Sequence, residues 1–228
     1  MDNGAKMNFL GRFKKTASSW NDNGISLGKQ GKFEESLVAF DKALELDPDY
    51  ADAWNNKAIA MGKLGRYQKA LVFYDKALEL DPEYVPAWFN KAVVLSNLDQ
   101  NKEALGCFDR ALELDPEYVP AWYNKGFTLG DLERYQEALE CYDKALELDP
   151  EFVDAWHNKG LDLKNLEKFK DALECFNKAL ELDPKDGPAW YNKGYVLEKL
   201  GKNQDAMECY NKSFELNPEL KNAFKARK

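Results

Sequence analysis

The sequence is short of the groups on which chemistry at a protein site usually rests. Among 228 residues there is one histidine, His157. It follows a Trp directly, where equivalent positions carry Asn21, Asn55, Phe89, Tyr123 and Tyr191, so it reads as a groove-facing surface position and not as a catalytic base. No Gly-rich phosphate loop follows a strand-like run. The many carboxylates recur as helix-surface groups such as Asp75, Lys76 and Glu79, within one turn of each other. An enzyme is not expected, and neither a cofactor nor a metal site. Basic residues are in deficit, 32 Lys and Arg against 40 Asp and Glu for a formal charge of -8. A nucleic acid calls for a basic stripe, so none is expected as a partner.

Long apolar runs are absent too. Nothing approaches the roughly 18 residues needed to span a bilayer. The leader Met1 to Lys15 has Phe9, Leu10 and Phe13 as its large apolar residues and lacks the continuous apolar segment of a secretory signal. No membrane contact and a cytoplasmic location are the resulting expectations. The four cysteines do not form a disulfide pattern. Cys107, Cys141, Cys175 and Cys209 are 34 residues apart, and Ala39 and Phe73 fill the same position earlier. Helices in successive units are separated by another helix, and packed axes lie about 8–10 Å apart. That exceeds the roughly 7 Å Cα separation a bridge tolerates, so reduced thiols are expected.

What is present is one unit written six times. Trp20, Trp54, Trp88, Trp122, Trp156 and Trp190 step by 34 residues, and Pro48, Pro82, Pro116, Pro150, Pro184 and Pro218 keep the step. In the unit 51–84, Trp54, Ala58 and Met61 share one stripe of a helix, here termed A, running from about Asp52 to Leu64. Pro86, Pro120 and Pro188 fit only a first helical turn. Gly31, Gly65 and Gly201 mark the other end, where a left-handed residue closes a helix. Helix B follows with Tyr67, Ala70, Leu71, Tyr74, Ala77 and Leu78 at helical spacing. It ends near Leu80, because Asp81 precedes a proline and avoids the helical region.

Trp54, Ala58, Ala70, Tyr74, Ala77 and Pro82 resemble the tetratricopeptide repeat, and every other unit matches with minor exchanges. The resemblance implies an all-α, right-handed superhelical solenoid of antiparallel helix pairs. Six repeats are expected at 17–50, 51–84, 85–118, 119–152, 153–186 and 187–220, stacked as one elongated body. Residues 1–16 form a leader in which Phe9, Leu10 and Phe13 could pack on the first helix, with Arg12, Lys14 and Lys15 facing solvent. Residues 221–228, with Phe224 where a seventh Trp would stand, are either a short cap or the start of a cut repeat.

In this family the A helices line a concave face, which implies a non-enzymatic scaffold holding an extended peptide segment of a partner protein. The candidate groove residues follow by register. One after Trp stand Phe89, Tyr123, His157 and Tyr191; five after stand Phe127, Leu161 and Tyr195, with Ile25, Ile59 and Val93 earlier. Two after Trp stand Asn56, Asn90, Asn124, Asn158 and Asn192, whose amides offer a donor and an acceptor to a peptide backbone. Gly28, Gly62 and Gly130, eight after Trp, cost helix stability, through close approach of a ligand or tolerance in a stable array. Lys57, Lys91, Lys125, Lys159 and Lys193 depart from the family's usual Leu. Either they meet an acidic ligand or, the favoured reading, their stems pack and their heads reach nearby carboxylates. The alternative to a peptide groove is weak self-association, the solenoid stacking head to tail through its ends.

Overall fold

The computed structural model describes residues 15–221 and Phe224. Phe9, Leu10, Arg12, Phe13 and Lys14 of the leader lie outside them, while Lys15 sets its ammonium over the Trp20 ring at 4.2 Å. Twelve α-helices and no strand are found among the described residues. The A helices are α1 (Ala17–Lys29), α3 (Ala51–Lys63), α5 (Val85–Asn97), α7 (Val119–Asp131), α9 (Val153–Asn165) and α11 (Gly187–Lys199). The B helices are α2 (Phe33–Leu46), α4 (Tyr67–Leu80), α6 (Asn101–Leu114), α8 (Tyr135–Leu148), α10 (Phe169–Leu182) and α12 (Asn203–Leu216).

The chain divides into two compact units, Met1–Asp99 with α1–α5 and Gln100–Lys228 with α6–α12. The cut falls inside the third repeat. In the first unit α1 packs on α2 and α3 on α4, while α2 meets α3 and α4 meets α5. The second unit repeats this from α6 to α12, each B helix touching the A helix that follows it.

One hydrogen bond explains why Trp and Pro keep the same period. Trp54 Nε1 donates to the carbonyl of Pro48 at 2.8 Å. Trp88, Trp122, Trp156 and Trp190 do the same to Pro82, Pro116, Pro150 and Pro184 at 2.9, 2.8, 2.9 and 3.0 Å. The half-buried indole thereby satisfies its single donor and ties each loop to the helix it feeds. Asp47, Asp81 and Asp115, before Pro48, Pro82 and Pro116, are extended, as steric conflict with the proline ring favours. Its carboxylate closes the loop by accepting the N–H two residues on, as Asp81 does from Glu83 at 3.0 Å.

Between the helices the alanines at 0% exposure let backbones approach, and the aromatic residues Phe40, Tyr74, Phe108, Tyr142, Phe176 and Tyr210 fill the space. At Gly160 the approach is close enough that a β-carbon would stand 2.8 Å from the Phe176 ring. All four cysteines are buried and free, and burial pushes the Cys141 and Cys175 thiols up to about 11. At the C-terminal side Phe224 lies against Tyr210 and Phe214, with ring centroids 4.5 and 5.5 Å away.

The left-handed residue after each A helix is retained in all six repeats, although glycine is not. Gly31, Gly65 and Gly201 have φ of 76, 70 and 78°, and Asp99, Glu133 and Glu167 hold φ of 57, 59 and 56°. An L-residue there pays a conformational penalty that glycine avoids. Glu133→Gly and Glu167→Gly should each raise stability by about 0.5 kcal/mol, and Gly65→Ala should lower it by about 1 kcal/mol. Urea unfolding midpoints at constant m-value check all three.

Candidate functional site

The register-derived face of the A helices is partly open and partly engaged in packing. The row one after Trp lies deeper than its spacing suggests. Asn55 is 3% exposed instead of facing outward, because α5 covers it and Asn90 Nδ2 donates to its Oδ1 at 3.3 Å. Tyr123, His157 and Tyr191 are half-buried, resting on Tyr142, Phe176 and Tyr210 at centroid distances of 6.2, 5.8 and 5.3 Å. Phe89 is likewise half-buried. These rings serve the A–B interface with one side and leave an edge outward. The row five after Trp is more open, with Phe127 at 44% exposure and Leu161 and Tyr195 half-buried.

Amide protons of the asparagine row are spent inside the protein. Asn56 donates to Asn21 Oδ1 at 3.0 Å and Asn158 to Tyr123 Oη at 2.8 Å, each linking one A helix to the preceding one. Asn124 and Asn192 turn back to the carbonyls of Pro120 and Pro188, at 2.8 and 3.0 Å. Asn192 Oδ1 accepts from Lys164 Nζ at 3.0 Å. The carbonyl oxygens of Asn90, Asn124 and Asn158 have no partner among the described residues. They remain able to accept a hydrogen bond from a ligand.

The recurring lysines point elsewhere. Lys57, Lys91 and Lys125 reach Asp41, Asp75 and Asp109 on the preceding B helix at 2.7, 2.6 and 2.6 Å, and Lys159 pairs with Asp143 in the same way. Each also stands over its own Trp ring, at 5.2 to 5.7 Å. Lys193 finds Asn177 where the aspartate would be and stays over Trp190 at 5.0 Å. A cleft of about 670 Å³ beside this row is lined by Trp156, Lys159 and Cys175, but its Lys159 and Lys178 already hold Asp143 and Glu181.

On the A-helix face of the first unit a cleft of about 330 Å³ is lined by Ile59, Gly62, Lys63, Asn90, Val93 and Val94. His157, with its side chain 16% exposed, is tied through Nδ1 to Asp186 at 2.8 Å. Asp186 in turn accepts the Ala189 N–H at 2.8 Å and caps α11. Burial alone would raise the Asp186 carboxyl, but the hydrogen bonds from His157 and Ala189 hold it below its ordinary value. The histidine is thus a strut between α9 and the start of α11.

Register reasoning passed over Asp162. Its position, six after Trp, holds Ser26, Ala60, Val94, Thr128 and Val196 in the other repeats. Asp162 is 6% exposed, and its Oδ2 has no hydrogen-bond partner. The carboxylate leans on α7 over Gly130, where a β-carbon would lie 3.0 Å from Oδ2. Burial and the charge of Asp131 push its carboxyl up to about 7, against a smaller opposing pull from Lys164. Burial likewise lowers the Lys164 ammonium, although Asp162 partly restores it.

A carboxyl raised in the folded state keeps its proton where the unfolded chain has lost it, so its contribution to stability falls as pH rises from about 4 to about 7. Asp162→Val places the side chain of Val94 and Val196 in the same setting. It should stabilise the protein by about 1–3 kcal/mol at pH 8, the cost of a buried unpaired polar group. The gain should shrink toward pH 4. Thermal melts of both proteins across that range test the sign.

Comparisons with known proteins now meet this geometry. A family model described as tetratricopeptide repeat matches residues 51–84, 119–152, 153–186 and 187–220, and related repeat models match 26–65 and 73–106. A comparison with curated protein sequences finds no significant match. Among solved structures, YrrB, described as a TPR protein with an unusual peptide-binding site, is 31% identical over 83% of this chain and 97% of its own, with a TM-score of 0.71. MamA from Desulfovibrio magneticus RS-1 is 26% identical over 75% of this chain and 96% of its own, with a TM-score of 0.67. PilF of Pseudomonas aeruginosa, at 20% identity, covers 93% of this chain and 97% of its own with a TM-score of 0.83, a likeness of fold. Four of the six 34-residue units meet the same family model, and the helix pairs follow its period, so this chain belongs to the tetratricopeptide repeat family.

Proposed function

We propose that the protein is an interaction scaffold that holds an extended peptide segment of a partner protein against the exposed face of its A helices. The observation that carries this reading is the pairing of open apolar side chains with open acceptors on one face. Phe127 stands 44% exposed on α7, with Leu161 and Tyr195 at the same position of α9 and α11. Asn124 and Asn158 on α7 and α9 keep carbonyl oxygens without partners among the described residues. An extended segment supplies side chains to the apolar row and backbone N–H groups to the amide oxygens. The likeness to YrrB, which is described as having a peptide-binding site, supports the same reading.

The half-buried Phe89, Tyr123, His157 and Tyr191 would border the ligand and hold the walls of the groove, while Asn56 and Asn192, whose amides serve the fold, keep the A helices in register. Self-association through the chain end receives less support, since Phe224 is already packed on Tyr210 and Phe214.

Phe127→Ala separates binding from folding, because an exposed side chain away from the core leaves stability within about 0.5 kcal/mol. An anchor of this kind contributes about 1–2 kcal/mol to binding. In parallel pull-downs from a lysate of the source cell, the variant should lose proteins that the wild type retains, as should the Asn90, Asn124 and Asn158 triple Ala variant with its helicity intact. Retention of an unchanged set by both folded variants would remove the groove.

A further inference from the structure

We propose that the cleft between α10, α11 and α12 takes the carboxylate of a glutamate or aspartate side chain borne by a partner protein, with Lys193 as its charge partner. The site lies on the other side of α11 from the peptide groove. At 100° per residue Lys193 is turned about 160° from Tyr195, so the inference stands independently of the groove reading.

The comparison lies within the chain itself. Lys57, Lys91, Lys125 and Lys159 each hold an aspartate of the preceding B helix, Asp41, Asp75, Asp109 and Asp143. The next copy of this position keeps the lysine and the indole and lacks the acid. Lys193 stands over the Trp190 ring at 5.0 Å, and α10 carries Asn177 where the aspartate belongs. Lys193 has no carboxylate partner among the described residues. Asparagine keeps the shape of aspartate and removes its charge. A half-buried ammonium therefore keeps its three N–H donors and loses the acceptor that its copies have.

The place is open to a ligand. A cleft of about 470 Å³ is lined by Leu173, Asn177, Trp190, Lys193, Asp205 and Glu208. One repeat earlier, Leu139, Asp143, Trp156, Lys159, Asp171 and Glu174 take the same positions in the cleft of about 670 Å³. Asp205 and Glu208 do not replace the missing acid, because Lys159 has Asp171 and Glu174 at the same positions and pairs with Asp143. The earlier copy thus shows that this setting accepts a carboxylate with both of those acids in place. Buried thiols in the two clefts register the difference. Burial raises both first; Cys175 then feels Lys159, Asp143, Asp171 and Glu174, whereas Cys209 feels Lys193, Asp205 and Glu208, one acid fewer. Lys212, also in the lining, is engaged by Glu215 at 3.3 Å, so Lys193 is the cation a ligand meets. Since Asn177 keeps the place on α10, the carboxylate must arrive from outside on a side chain. Leu173 and Trp190 offer apolar surface to its methylene stem.

The test titrates the wild type, Asn177→Asp and Lys193→Gln with N-acetyl-glutamate methylamide and with its neutral glutamine analogue. Ionic strength is held constant, because salt screens such pairs. The Trp190 indole and Lys193 Cε resonances report binding by NMR. The wild type should bind the glutamate probe about fivefold more tightly than the glutamine probe, as a partly exposed charge pair provides. Asn177→Asp supplies the missing carboxylate from within, as in the other four copies, and should abolish the preference with its helicity intact. Lys193→Gln should abolish it too. Phe127→Ala should leave it unchanged, so the cleft and the groove are judged separately. From a displayed library of random dodecapeptides, those retained by the wild type and not by Asn177→Asp should carry Glu or Asp at one position. Equal affinity for the two probes, a glutamate preference that survives in Asn177→Asp, or a library without acidic enrichment would overturn the site. A wild-type dimer in sedimentation that Asn177→Asp dissolves would also overturn it, the carboxylate then coming from a second copy.

Discussion

Every repeat junction depends on the indole of its tryptophan reaching back six residues to a proline carbonyl. Five such bonds, from 2.8 to 3.0 Å, fix the angle at which each A helix leaves the loop. Proline stops the preceding B helix and leaves its own carbonyl exposed, and the Trp ring covers the loop while donating to that carbonyl. With the entry angle fixed, the alanines of the next helix meet the preceding one at zero exposure, and the buried Phe or Tyr of helix B finds its slot. Five like joints are obtained from one Trp and one Pro each.

The faces of each A helix then divide the work by angle. Lysines three after Trp turn toward the preceding B helix and neutralise its aspartates over an indole ring, so the departure from leucine strengthens a seam between repeats. These are partly exposed pairs, worth about 0.2–1 kcal/mol each. Three of the asparagines two after Trp, Asn56, Asn90 and Asn158, face the preceding A helix. Their amides tie neighbouring A helices together, while those of Asn124 and Asn192 turn back to Pro120 and Pro188.

Sequence was most informative where one position has one job. Helix ends, the Trp–Pro period, the first-turn prolines Pro86, Pro120 and Pro188 and the free cysteines all follow from local rules and are seen in the structure. The left-handed position was legible from Gly31, Gly65 and Gly201, yet the same conformation at Asp99, Glu133 and Glu167 was hidden, because the backbone bonds that close the helix, such as Arg134 N–H to the Leu129 carbonyl at 2.9 Å, impose it on residues that disfavour it. Asn55 was misplaced for a related reason. Helical periodicity gives a direction but not the neighbour lying in that direction, and α5 covers it.

Asp162 marks the boundary between reading the period and reading departures from it. A repeat array is built by copying, so a position that holds an apolar or small neutral side chain in five units and a carboxylate in one has been changed against the grain of packing. Drift on a surface would cost little and signify little. This exchange is buried and leaves Asp162 Oδ2 without a hydrogen-bond partner, and burial together with the charge of Asp131 raises the carboxyl. Ala60, Val94, Thr128 and Val196 are buried at the same position without a charge, and they supply the reference state against which the cost of Asp162 is measured.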